Sequence, residues 1–172
     1  MSKRNGMYAA AVALAALSSA AVAASPREDA AHRAHDRYLA AINANDPEAL
    51  LATVTDDIVV IAPNAPAMVG KTEVAPWVRG YFEAFQTSWQ KTSVEFVVTG
   101  DWAFERYTYK AVDMPRDGGA AFVDTGNGIN IYRLGQDDVW RVARDVWATD
   151  GSAMGSAQAP GVATCTGASG PC

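Results

Sequence analysis

The chain has 172 residues, 49% of them hydrophobic, and a formal net charge of −5 at pH 7. This length and apolar content suit one domain with a buried core and are too small for two. The acidic balance excludes nucleic acid as a favoured partner, because phosphates repel a negatively charged surface.

The first residues have the order of a secretory signal. The basic pair Lys3-Arg4 precedes an apolar stretch at residues 7–17, and small residues follow. The apolar stretch is shorter than the roughly 20 residues that a membrane-spanning helix needs. We therefore expect cleavage near Ala23, a secreted or periplasmic protein and no membrane association. Loss of residues 1–23, which contain two basic and no acidic residues, would change the net charge from −5 to −7.

A tail rich in Gly, Ala and Ser occupies residues 151–172 and contains both cysteines, Cys165 and Cys172. An oxidising compartment would allow them to pair, but two unpaired thiols are equally compatible with the sequence, which does not fix cysteine geometry. We expect this tail to be flexible and the folded domain to span residues 24–150.

Three helices are predicted in the first half of the domain, with a short strand at 58–62 before the third. The first covers residues 27–45, where small and apolar residues recur at three- and four-residue steps. Asp46-Pro47 starts a short second helix that runs to about residue 54. Thr72 is predicted to cap the third helix, whose apolar stripe is Trp77, Tyr81, Phe82 and Phe85.

After the third helix the apolar period changes from about four to two, which is typical of strands. The predicted strands are 94–99, 102–112, 120–134 and 139–148, and the short turns between them make neighbours antiparallel. Gly126 and Gly128 predict bulges or a tight bend inside the third of these strands. Helices followed by a curved antiparallel meander indicate an α+β fold.

Several motifs resemble the NTF2-like superfamily. Residues 44–46 with 48–50 resemble its stretch between the first two helices, and Gly-Asp-Trp-Ala-Phe-Glu-Arg at 100–106 resembles a turn and strand of its SnoaL-like and DUF4440 branch. The segments 126–133 and 140–147 resemble that branch's closing hairpin. The resemblance implies three N-terminal helices packed on a strongly curved antiparallel sheet around a cone-shaped pocket.

The ketosteroid isomerases, enzymes of this superfamily, need a carboxylate base and an oxyanion hole. By the resemblance, Tyr38 corresponds to their hydrogen-bonding tyrosine and Asn130 to the acid of the oxyanion hole. Ala62, before Pro63, occupies the position of their base. An amide at residue 130 could still donate a hydrogen bond, but an alanine cannot transfer a proton.

Asp145 is the candidate for a substitute base. Strand parity puts Asp145 and Trp147 on one face, which should meet Asn130 across the hairpin. A carboxylate inside an aromatic cone would be more basic, as proton abstraction requires. The alternative is a structural ion pair with Arg141 or Arg144.

The aromatic residues of the third helix and of the strands could line a ligand pocket. Aromatic stripes at helix and strand spacing are more often part of the hydrophobic core. Tyr38 could also be a core residue, and Arg106 could bind an anion only if it points inward. The predicted catalytic pair is Asp145 and Tyr38. The predicted ligand-binding residues are Asn130, Trp147, Tyr107, Tyr132, Trp77 and Tyr81.

No cofactor or metal is predicted. His32, His35 and Asp36 have a spacing that one helix face could offer to a metal, but no further ligand stands out. A Ser-His-Asp set with a nucleophile turn, a phosphate-binding glycine loop and a CxxC motif are all missing from the sequence. Hydrolase, nucleotide-binding and redox functions therefore lack support.

Three functions agree with these observations. The first is binding of a small apolar or aromatic molecule, anchored by Tyr38, Asn130 and Asp145. The second is an isomerase-, cyclase- or lyase-type enzyme that uses Asp145 without a cofactor. The third is a non-catalytic assembly domain, because the resemblance implies a homodimer formed through the outer face of the sheet.

Overall fold

A computed structural model describes residues 25–151. The predicted signal segment, Cys165 and Cys172 lie outside the described residues. Within residues 25–151, no helix is long and apolar enough to cross a membrane.

Helix α1, Pro26–Ala44, begins and ends with defined caps. Ser25 and Glu28 exchange side-chain and backbone hydrogen bonds at its start, which satisfies amide groups that the first turn leaves free. Asn45 ends it in the left-handed conformation at φ 54°. The Asn45 side chain both donates to and accepts from the backbone of Thr87, and so ties the helix end to the sheet.

Two further helices complete the helical part, but they are unequal. Helix α2, Pro47–Ala52, has six residues and is capped by Asp46, while helix α3, Lys71–Ala84, has 14. The predicted Thr72 cap is wrong, because α3 begins at Lys71 after Gly70, which has φ 82° and no side chain to offer. The expectation of three N-terminal helices is met in part: all three precede the antiparallel meander, but only α1 and α3 are long, and two strands separate α2 from α3.

Six strands form one curved sheet in the order β2-β1-β6-β5-β4-β3. All neighbours are antiparallel except β1 and β6, which pair in parallel. The strands are β1 (Val54–Ile61), β2 (Met68–Val69), β3 (Phe85–Thr99), β4 (Trp102–Pro115), β5 (Phe122–Leu134) and β6 (Trp140–Thr149).

The greatest departure from the predicted elements is the start of β3. This strand begins at Phe85, nine residues before the predicted Val94, because Phe85 has the extended angles φ −129° and ψ 145° directly after the last helical residue. No turn residue separates the helix from the strand. As a result, Phe85 belongs to the sheet and not to the apolar stripe of α3.

The glycines of β5 also act differently from the prediction of a bulge. Gly126 pairs with Tyr109 and Gly128 with Tyr107 in unbroken register, and the register shift between β5 and β6 lies farther along, after Ile131. A Cβ at Gly128 would lie 2.7 Å from Cε2 of Tyr107 and closer still to the end of that ring. These glycines therefore make room for two tyrosine rings on the inner face of the sheet.

Helices α1, α2 and α3 pack on this inner face. The main core combines apolar side chains of the three helices with side chains of β1, β4, β5 and β6. On β4 the inward residues alternate with exposed ones and are Ala103, Glu105, Tyr107, Tyr109 and Ala111. The core therefore contains several polar groups at the centre of the sheet, and these determine the chemistry of the site.

Candidate functional site

A cavity of about 180 Å³ lies between the helices and the inner face of the sheet. Most of its wall is apolar or aromatic. The aliphatic residues of the wall, together with one phenylalanine, are Ile42, Leu50, Leu51, Val54, Ile58, Val60, Val74, Val78, Phe82 and Ala111. Polar side chains are few and lie in two groups, so the cavity suits a mostly apolar molecule with a small number of polar atoms.

The first polar group is centred on Asp145 of β6, which is only 7% exposed. Its Oδ2 accepts a 2.5 Å hydrogen bond from the Tyr38 hydroxyl of α1. Its Oδ1 accepts from the Asn130 amide at 2.6 Å and from the Tyr107 hydroxyl at 3.3 Å. Three donors therefore satisfy this buried carboxylate, as the burial of a charge requires.

The ion pair considered for Asp145 is not formed. Arg141 pairs with Asp137 in the turn between β5 and β6, and Arg144 donates to the backbone carbonyls of Asp57 and Ala143. Both arginines alternate to the outer side of β6, while Asp145 faces inward. The partners of Asp145 are thus the polar groups of the cavity wall and the amide behind it.

The two tyrosines that contact Asp145 remain protonated at all ordinary pH values. Burial is the main cause that raises the pKa of Tyr38, and the adjacent Asp145 carboxylate raises it further. The same causes raise the pKa of Tyr107. Both hydroxyls therefore act as hydrogen-bond donors, and neither can serve as a base.

Lys91 of β3 lies in the same group, although it was not predicted as a site residue. Its ammonium nitrogen is 3.6 Å from the centre of the Tyr107 ring and 5.3 Å from that of Tyr38. It also donates to Oδ1 of Asn130. Burial lowers the pKa of Lys91, while the charges of Asp145 and Glu105 oppose this change. A cation with a depressed pKa therefore borders the cavity.

A second buried carboxylate, Glu105, lies behind this group. Its Oε2 is 2.9 Å from Nδ1 of His35 and accepts a 2.7 Å hydrogen bond from the Tyr132 hydroxyl, while Oε1 has no hydrogen-bond partner among the described residues. Burial by itself would raise the pKa of Glu105, but the His35 contact, the charge of Lys91 and the Tyr132 hydrogen bond together lower it. Glu105 and Tyr132 do not line the cavity.

Aromatic rings surround the rest of the cavity. The Trp77 and Tyr81 rings are stacked 5.7 Å apart, and Trp77 and Trp147 are 6.4 Å apart. Trp89 meets Trp147 edge to face at 6.2 Å. The buried indole N–H of Trp89 makes no hydrogen bond with the described residues. It lies close to the Tyr81 hydroxyl, where it favours the ionised form and so slightly lowers the Tyr81 pKa. This wall can enclose a flat ring.

The second polar group is formed by Asp113 and Asp124. Asp113 accepts 2.5 Å hydrogen bonds from the Tyr81 and Thr87 hydroxyls, and Asp124 accepts one of 2.7 Å from Tyr109. Both aspartates line the cavity. Burial, followed by the Asp113 charge, raises the pKa of Tyr81, so this hydroxyl also stays protonated.

This fold and its cavity have counterparts among known proteins. The family described as the SnoaL-like domain matches residues 35–144. The chain belongs to the SnoaL-like family. No curated protein matches the chain.

Solved structures agree with this assignment of the SnoaL-like domain. A ketosteroid isomerase-like protein from Erwinia carotovora atroseptica is 28% identical, with a TM-score of 0.67 over 73% of this chain and 98% of that one. A conserved protein from Planctomyces limnophilus is 26% identical, with a TM-score of 0.65 over 71% and 96%. A candidate scytalone dehydratase from Novosphingobium aromaticivorans is 18% identical, with a TM-score of 0.63 over 70% and 82%, which shows the shared fold alone.

The structure brings most of the predicted site residues of the SnoaL-like domain to one cavity. Its wall includes Tyr38, Trp77, Tyr81, Tyr107, Asp145 and Trp147. Asn130 and Tyr132 are fully buried behind the wall: Asn130 contacts the lining residues Lys91 and Asp145, whereas Tyr132 contacts Glu105, which does not line the cavity. Apart from the aliphatic and phenylalanine part of the wall, four lining residues were not predicted, namely Trp89, Lys91, Asp113 and Asp124.

The other polar candidates have structural surroundings of their own. His35 binds Glu105, and the ring of His32 lies 4.0 Å from that of Phe96. Arg106 is exposed on the outer face, 3.5 Å from Glu95. Among residues 25–151, no three or more potential metal ligands come together.

Proposed function

We propose that the SnoaL-like domain binds a small, mostly apolar or aromatic molecule in the cavity. The observation that carries this proposal is a cavity with a largely aromatic and aliphatic wall that ends on a buried, hydrogen-bonded carboxylate, Asp145. A ring would lie between Trp77, Trp89 and Trp147. One polar atom would reach the end formed by Tyr38, Lys91 and Asp145.

Tryptophan fluorescence offers a direct test, because three of the five tryptophans line the cavity. The probe is 2-naphthol, which combines a flat ring system with one hydroxyl group. Tyr38→Phe and Asp145→Asn should each weaken binding about tenfold, since a hydrogen bond to a charged group contributes roughly 1.5 kcal/mol or more and about 1.4 kcal/mol is a factor of ten.

Tyr132→Phe is the matched control for Tyr38→Phe. It also removes a buried hydroxyl that donates to a carboxylate, but Tyr132 does not line the cavity. Its affinity for 2-naphthol should equal that of the wild type, although its stability falls. Equal affinities in all four proteins would remove Tyr38 and Asp145 as anchors, and absence of binding in the wild type would contradict the proposal.

A second candidate is a cofactor-independent isomerase- or lyase-type enzyme. It is favoured by Asp145, a carboxylate at the cavity wall beside two protonated phenols, because a base and hydrogen-bond donors at one point are what proton transfer next to a carbonyl requires. The test follows deuterium exchange at the carbons next to the carbonyl of 2-indanone. Enzyme-dependent exchange that disappears in Asp145→Asn would support catalysis, and exchange at the solvent rate would contradict it.

Assembly through the outer face of the sheet is the third candidate, and it is compatible with either of the others. Outward-facing apolar side chains on three neighbouring strands are 39% to 53% exposed, and these are Val97, Trp102, Val123 and Ile129. Such a surface suits an isologous dimer. Native mass spectrometry should find a dimer in the wild type and in the hairpin-turn control Val139→Glu, but a monomer in Ile129→Glu. A monomeric wild type would contradict the dimer.

We also propose that the chain is exported, on the basis of the basic pair, apolar stretch and small residues in segment 1–23. The intact mass of the protein recovered from its source cells should correspond to a chain that begins near residue 24. Recovery of the full chain from the cytoplasm would contradict export.

A further inference from the structure

Lys91 differs from the two other lysines of the described residues. Lys71 pairs with Asp56 at 2.9 Å on the surface, and Lys110 is exposed on the outer side of β4. Lys91 lies on the inner face of β3 and borders the cavity. Among the ion pairs of residues 25–151 it has none, since its nitrogen contacts the neutral Asn130 amide and the face of the Tyr107 ring.

These surroundings shift the protonation equilibrium of Lys91 toward the neutral amine, compared with a lysine side chain in water. An ammonium group loses hydration on burial, and the neutral carbonyl of Asn130 replaces only part of it. The direction of the Lys91 pKa agrees, because burial lowers it in spite of two nearby carboxylates. Burial therefore increases the unprotonated fraction of Lys91, and only an unprotonated amine has the electron pair for nucleophilic attack.

We propose that the side chain of Lys91 forms an imine with the aldehyde or ketone group of a molecule bound in the cavity. This inference rests on the proposed function, since the aromatic wall must first hold the carbonyl compound. It specifies the polar atom of the ligand as a carbonyl oxygen and places the reactive carbon at Nζ of Lys91. Desolvated lysines in apolar cavities commonly have this reactivity.

The reaction consumes no other reagent. The Nζ electron pair attacks the carbonyl carbon and forms a C–N bond, while the carbonyl π pair moves to oxygen. The proton that nitrogen loses goes to this oxygen, which gives a carbinolamine. The nitrogen pair then forms the C=N bond as the hydroxyl group leaves with a second nitrogen proton as water.

Neighbouring groups suit both steps. The Tyr107 hydroxyl makes only a long 3.3 Å hydrogen bond to Asp145, so its single proton can turn to the developing oxygen anion while Tyr38 and Asn130 continue to satisfy the carboxylate. The Asp145 carboxylate stabilises the positive charge of a protonated imine. The apolar wall limits access of water, which would hydrolyse the product.

Reductive trapping tests the proposal. Purified protein is incubated with benzaldehyde and sodium cyanoborohydride near neutral pH, and the benzylated lysines are located by peptide mass spectrometry. Lys71 and Lys110 serve as references within the same molecule. We expect Lys91 to react at least about tenfold faster than either, because benzaldehyde bound in the cavity is held with its carbonyl carbon beside Nζ of Lys91, which raises the effective concentration of the reactants.

Two comparisons show whether Lys91 is labelled because it reacts with a molecule in the cavity or only because the reagent can reach it. Saturating 2-naphthol should slow labelling of Lys91 but not of Lys110. Lys91→Arg keeps the positive charge and cannot form an imine, so it should lose the fast phase, while Lys110→Arg should keep it. Protection by 2-naphthol uses the wild type, so the test remains decisive if Lys91→Arg fails to fold.

The outcomes distinguish this inference from the proposed function. Binding of 2-naphthol without preferential labelling of Lys91 would overturn the imine and leave the binding function intact. Equal labelling of Lys71, Lys91 and Lys110 would also overturn it. Failure to bind 2-naphthol together with unlabelled Lys91 would overturn both.

Discussion

Gly128→Ala should destabilise the protein by forcing the Tyr107 ring away from its position. The added Cβ would overlap the hydroxyl end of that ring and lie 2.7 Å from its Cε2 atom. Gly128 does not have a positive φ, so the clash and not backbone strain decides the result. Overpacking of this kind costs about 1–3 kcal/mol.

The cost can be followed as a change in Tm. For a domain of this size, 1 kcal/mol corresponds to roughly 3–5 °C, so Gly128→Ala should melt about 3–15 °C below the wild type. Gly80→Ala is the matched control, since Gly80 lies in α3 and no atom would lie within 4 Å of its new Cβ. It should raise the free energy of unfolding by about 0.5–1 kcal/mol, because alanine favours helix.

The clash with the Tyr107 ring can be tested by making Gly128→Ala in a protein that already carries Tyr107→Leu. Tyr107→Leu has a side chain too short to reach the position that the new Cβ takes. Gly128→Ala should therefore cost less than about 1 kcal/mol in that background, a coupling typical of residues in contact. Equal losses in both backgrounds, or an unchanged Tm for Gly128→Ala alone, would refute this explanation of the Tyr-Gly pair.

Three further predictions concern the polar contacts. His35→Ala removes a contact that lowers the pKa of Glu105, so this variant should have a smaller free energy of unfolding than the wild type above pH 4.5. Urea denaturation at several pH values should show this difference between the two proteins. The difference should disappear as the pH falls and Glu105 becomes protonated in both. The Arg133 hydrogen bond lowers the pKa of Asp57 from 3.8 to about 2, which stabilises the fold above pH 3.8 and no longer does so once pH falls through about 2. Arg133→Gln should lose less than about 1 kcal/mol at neutral pH in urea denaturation, because the Asp57 side chain is 53% exposed. Asn45→Ala should cost about 2–3 kcal/mol in the same assay, since it loses two hydrogen bonds to β3 and keeps φ at 54°.

Much of the site could be predicted from local patterns. Two-residue periodicity and a short turn predicted that β5 and β6 pair, and the predicted meeting of Asn130 with Asp145 is confirmed. The helical period correctly placed Tyr38 on the buried face of α1. Both results depend on contacts within one element or one hairpin, where sequence spacing determines geometry.

Trp89 and Lys91 were missed for one reason. The change from α3 to β3 takes place at Phe85 without Gly, Pro or a polar turn, so the first nine residues of β3 were not recognised as strand. Strand parity from residue 85 onward would have put Thr87, Trp89 and Lys91 on the inner face. Glu105 was considered only as part of a motif, because its His35 and Tyr132 partners lie far apart in sequence.

The central claim is that the cavity holds a small molecule with its polar atom at the Asp145 end. A crystal structure of the protein soaked with 2-naphthol tests it most directly. We predict the rings between Trp77, Trp89 and Trp147, with the hydroxyl within hydrogen-bond distance of Tyr38, Lys91 or Asp145. An empty cavity at a saturating concentration, or 2-naphthol bound only on the outer face of the sheet, would contradict the claim.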